Sequence, residues 1–111
     1  MKLVIDWDDP LIAADDIIAI RPEDLDDFYV TAGDMDKANL FFVLLATFHR
    51  CMEQHRREQA AHISFLMAYY LFTALTPPAS GELARHYIRQ AVCLHESSLY
   101  REWAAYIEQG N

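Results

Sequence analysis

Glycine is scarce in this chain of 111 residues: there are three, beside four prolines. An all-β fold needs tight, Gly-rich turns between its strands, so this shortage argues against one. Cysteine is scarcer still. Cys51 and Cys93 both fall inside strongly helical patterns. They read as two reduced, partly buried thiols, with a disulfide between two helices the geometric alternative. A secretory signal is missing, because Met1 to Trp7 is short and runs straight into Asp8 and Asp9. A cytoplasmic, bacterial protein is the expectation.

Long hydrophobic runs are also lacking. The most apolar stretch, Ile63 to Leu75, is bounded by Arg56, Arg57, Glu58 and Gln59 on one side and by Pro77 and Pro78 on the other. A membrane span needs about 20 such residues, so the stretch reads as a buried core helix and no membrane partner is expected. Positive charge is in short supply overall, with a net charge of −8. Up to Asp36 there are 11 acids against Lys2 and Arg21, a net of −9, whereas from Lys37 onward seven bases face six acids. Binding phosphates requires cations, which excludes direct nucleic-acid contact by the acidic third. Basic surfaces would be attracted to it.

What is present is a large apolar complement, 53% hydrophobic and 13% aromatic. That is too much for a disordered chain and enough for one small domain. The reading is a single all-α domain over residues 1–111, a bundle of four or more helices, with 1–36 an acidic N-terminal segment and 37–111 the helical core. Phe41, Leu45, Phe48 and Met52 recur at helical spacing in a stretch free of Pro and Gly from Asp36 to about Arg57. Asp34 or Asp36 is placed to cap it. A second helix runs from about Glu58 to Leu75 and is stopped by Thr76-Pro77-Pro78. Ser80 is placed to cap a third, whose apolar stripe is Ala84, Tyr87, Ile88, Ala91 and Leu94. Ser97 or Ser98 opens a fourth, which Gly110 ends, so the third and fourth form an antiparallel hairpin.

The N-terminal segment supports two readings. Asp9 followed by Pro10 suggests a helix over Leu11 to Ile20. The β-branched runs Leu3-Val4-Ile5 and Ile17 to Ile20 could instead pair as short strands. Pro22 with Glu23, Asp24, Leu25, Phe28 and Tyr29 looks like a further short helix.

Few constellations carry chemistry. Among five histidines, His55 and His62 with Cys51 are the candidate metal ligands, since Cys51 and His55 are four apart on one helical face. The tight ligand pairs of zinc motifs are absent, and scattered boundary histidines explain the set better. The D-x-D-D elements at Asp6–Asp9 and Asp24–Asp27 lack the Gly and closing Glu of a calcium loop and read as helix caps. Neither a phosphate-cradling Gly loop nor a nucleophile elbow occurs, so no catalytic residue and no cofactor is assigned. The aromatic surplus of Phe41, Phe42, Phe48, Phe65, Tyr69, Tyr70 and Phe72 exceeds one helical stripe. Either neighbouring helices absorb it, or a homodimer does.

The expected function is therefore that of a non-enzymatic helical interaction or regulatory protein. Its acidic N-terminal surface, with Asp24, Asp26 and Asp27, would meet a basic protein partner. Two competitors stand beside it: a small metal- or ligand-dependent helical enzyme or sensor, and a mimic of DNA that inhibits a nucleic-acid-binding protein.

Overall fold

The most apolar stretch of the sequence becomes the axis of the fold. In the computed structural model, which describes residues 2–110, six α-helices and no strands occur among the described residues. They are α1 (Ala14–Ile17), α2 (Pro22–Thr31), α3 (Asp34–Glu53), α4 (Arg57–Tyr70), α5 (Ser80–Leu94) and α6 (Ser98–Gln109). Every side chain from Ala60 to Ala68 of α4 is buried. A helix that is apolar all round must be surrounded, and α4 is. Helices α3 and α5 flank it, α6 packs on α5 and meets α4 through aromatic rings, and α1 and α2 touch it as well. The Cα radius of gyration is 13.0 Å, close to the roughly 13 Å that a compact domain of this length has.

The angular order around α4 follows from single contacts. Ser64 donates to the Tyr87 carbonyl of α5 at 2.6 Å, and His62 meets the Ile20 carbonyl at 2.6 Å. Each residue advances about 100° around a helix, so these two directions differ by about 200°. The N-terminal layer and α5 therefore lie on opposite sides of α4. On the α6 side, Phe65 stacks on Tyr100 with ring centroids 5.0 Å apart, and Tyr69 meets Trp103 edge-on at 5.1 Å.

Several boundaries differ from the sequence expectation, each for a local reason. The first long helix stops at Glu53 rather than near Arg57. Arg56 N–H reaches back to the Cys51 carbonyl at 2.9 Å and His55 N–H to Met52 at 3.2 Å, while His55 takes a left-handed φ of 59°. This is the usual helix-ending arrangement in which glycine is favoured, here built on histidine, which tolerates that region better than most residues. Asp34 and Asp36 sit in the first turn of α3, and Gly33 holds the cap position. Ser80 likewise begins α5 instead of capping it, after Ala79 with φ of 62°. The second helix reaches Leu75 as expected, but residues Leu71–Leu75 widen into a π-turn before Thr76 turns left-handed.

The N-terminal segment is mostly neither helix nor strand. The helix expected over Leu11 to Ile20 shrinks to the single turn of α1, and the two β-branched runs do not pair. Apolar side chains spaced along the segment serve the core instead: Leu3, Ile12, Ile17 and Ile20 are buried, whereas Val4 and Ile18 of the two runs are exposed.

Candidate functional site

Three polar clasps fasten the acidic N-terminal layer to the helices beneath it. At the first, the Ile12 N–H donates to Thr47 Oγ1 at 3.3 Å and the Arg50 guanidinium donates to the Ile12 carbonyl. Thr47 passes its own hydroxyl hydrogen to the Val43 carbonyl at 2.8 Å. An extended segment thus finds on a helix face the partners a neighbouring strand would otherwise supply.

The second clasp is His62, which is buried. A carbonyl only accepts, so Nε2 carries the hydrogen that bonds Ile20, and Nδ1 accepts from the Tyr100 hydroxyl at 2.9 Å. Burial holds its pKa below the ordinary histidine value, against the opposing pull of the Ile20 carbonyl and Glu58. Burial also pushes Tyr100 up to about 12, with Glu58 adding to it. The third clasp joins the Tyr69 hydroxyl to both Asp26 carboxylate oxygens, at 2.9 and 3.0 Å. Burial, then Asp26 itself, raises Tyr69 to about 12.

With the layer fastened by its inner face, its carboxylates face water. Asp6, Asp8, Asp9, Asp15, Asp16, Glu23, Asp26 and Asp27 are all exposed. Asp24 is different. It is 2% exposed, accepts the Arg21 N–H at 2.8 Å and lies 3.5 Å from the Arg21 guanidinium. Burial works against its charge, but the opposing pulls, the Arg21 N–H first among them and the Arg21 guanidinium included, together hold the carboxyl below its ordinary pKa. Asp24 thus caps α2 from inside. Asp24 and Asp27 share a hollow of about 510 Å³ with Lys2, Arg21 and Phe28, whereas Asp26 turns away toward Tyr69.

An apolar slot opens at the segment that carries Asp6, Asp8 and Asp9. Trp7, Pro10 and Leu11 of the N-terminal segment and Asn39, Phe42, Val43 and Ala46 of α3 enclose about 270 Å³. Trp7 is 46% and Phe42 62% exposed, and Trp7 sits in the chain between Asp6, Asp8 and Asp9. Most of the other rings in the aromatic surplus pack within the chain: Phe41 on Tyr87, Phe65 on Tyr100, Tyr69 on Trp103, Tyr70 on Tyr29. Phe42 meets only the edge of Phe41 and otherwise faces outward.

The structure does not bring Cys51, His55 and His62 together as a metal centre. Cys51 is buried, and burial raises its thiol pKa although Arg50 and Arg56 pull the other way. His55 is exposed at the helix-ending turn. Both nitrogens of His62 are already bonded. Among the described residues no three His, Cys, Asp or Glu side chains gather as a metal-binding group. Cys51 and Cys93 are both free thiols.

Sequence reasoning missed Thr47, Arg50 and Tyr69 as anchors of the layer, because each partner lies more than 30 residues away along the chain. Trp7 and Phe42 had a readable signal: a tryptophan set among three aspartates, and a phenylalanine off the Phe41–Phe48 stripe. Compared with protein-family models, with curated proteins and with solved structures, the chain matches none of them. No helix among the described residues is long and apolar enough to cross a membrane.

Proposed function

We propose that this chain is a non-enzymatic interaction protein that docks a cationic protein partner on its N-terminal layer. One observation carries the reading: the segment from Asp6 to Asp27 exposes eight carboxylates, and the same segment supplies Trp7, Pro10 and Leu11 to an open apolar slot against Phe42. A field of one sign speeds and orients the encounter, while a central apolar anchor supplies the contact that persists. Lys2 and Arg21 are the only bases up to Asp36, and Arg21 is engaged with Glu23 and Asp24. A second copy of this chain is a poorer occupant, because its own net charge of −8 opposes the approach.

The test keeps Asp24 intact, since it caps α2, and neutralises Asp8, Asp9, Asp15 and Asp16 to asparagine. Wild-type protein is expected to retain a partner from native lysate at low salt and to release it as the salt shortens the screening length. The fourfold variant should fail to retain it. A partner held equally by both proteins, and insensitive to salt, would remove the acidic layer from the reading.

A further inference from the structure

A further cavity lies on the other side of α4, along α5, and has two arginines, Arg85 and Arg89, beside one carboxylate, Glu82, in its lining. The inner stripe of α5, Ala84, Ile88 and Ala91, is buried against α4. The stripe turned the other way, Glu82, Arg85, His86, Arg89, Gln90 and Cys93, lines a cleft of about 490 Å³ that Met52 and Leu94 complete. That is within the roughly 300–1,000 Å³ of small-molecule pockets.

Three features of the lining point to an occupant. Arg85 makes no hydrogen bond or ion pair among the described residues. Arg89 is held from α6, its Nε 2.8 Å and its second nitrogen 2.6 Å from Glu108 Oε1. Its guanidinium is thereby oriented with donors to spare. Met52 and Leu94 add an apolar surface at one end of the stripe.

We infer that the α5 cleft binds a small amphipathic organic anion. Its carboxylate or sulfonate meets Arg85 and Arg89, and its apolar body lies on Met52 and Leu94. Planar guanidinium groups suit such oxyanions, and a charge-assisted bond is the stronger kind. The site is separate from the acidic layer in element and in position, so it stands or falls independently of the proposed docking function.

Cys93 supplies the readout, because it is exposed in this cleft while Cys51 is buried. Alkylation of the folded protein by N-ethylmaleimide therefore reports occupancy of this cavity and of no other. The probe is anilinonaphthalene sulfonate, which carries an anionic group and flat rings. It is expected to bind saturably at one site per chain and to slow Cys93 alkylation about tenfold at saturation. Arg85→Glu, and equally Arg85→Gln, should weaken the probe by about tenfold, the worth of one charge-assisted bond, and restore the alkylation rate. Phe42→Ala, at the apolar slot, should change neither quantity. Probe binding that leaves the Cys93 rate untouched, that is lost in Phe42→Ala instead of Arg85→Glu, or that never saturates would overturn the assignment.

Discussion

Between Ala60 and Ala68 every side chain of α4 is buried, whereas between Asp6 and Asp27 eight carboxylates are exposed. The body from α3 to α6 is held by contiguous apolar packing and stacked rings. The N-terminal layer is held by spaced apolar anchors, Leu3, Ile12, Ile17, Ile20 and Leu25, and by its three polar clasps. The difference teaches how a segment can carry net charge of one sign and still be ordered. Its inner face needs only an anchor every few residues, provided that its backbone finds donors and acceptors on the helices below. The outer face is then free to serve recognition.

Phe65→Ala should separate the two regions most sharply. Phe65 is wholly buried at the meeting of α4 and α6, and the cavity left behind should cost about 3–5 kcal/mol in urea unfolding. A loss below about 1 kcal/mol would mean that α4 is not the hub. Thr47→Val keeps the shape but strips the acceptor from the buried Ile12 N–H, which should cost about 1–3 kcal/mol. Limited proteolysis would reveal the loosening as faster cleavage near Ile12, with the body left intact. Equal loosening of α5 would show that layer and body unfold as one unit.

The smallest effect concerns acid. His62 has its pKa depressed in the folded state below the ordinary 6.5. Above pH 6.5 both states hold it neutral and its contribution is complete. As pH falls below 6.5 the unfolded chain takes up a proton that the folded chain resists, so stability declines until the depressed pKa is passed. The neighbours that bear on it are Tyr100 from α6, Glu58 from its own helix and the Ile20 carbonyl. His62→Gln should flatten the stability curve in that window. An unchanged slope would show that His62 is not the group responsible.

The helical class, the four long helices and the Pro77-Pro78 stop were legible because they rest on local signals: period, punctuation and composition. The end of α3 was not legible. Its left-handed residue is His55 rather than glycine, so a sequence without Gly or Pro hides a genuine stop. The N-terminal segment was opaque for a different reason. Its β-branched runs look like strands, and the partners that hold the segment at Ile12 and Ile20, Thr47, Arg50 and His62, lie 35 to 42 residues downstream. For the site, the excess of acid was plain from the counts, but which acids face water was not. Asp24 reads like its neighbours Asp26 and Asp27 until Arg21 is seen folding back onto it.

Native-state hydrogen exchange, read amide by amide, asks most directly whether α4 is the hub and the acidic layer a separately fastened sheath. The account predicts the slowest exchange at Ile63 to Ala68, with the amides of α2 opening earlier at a lower free energy. Exchange in α2 as slow as in α4, or α4 amides that open first, would contradict it.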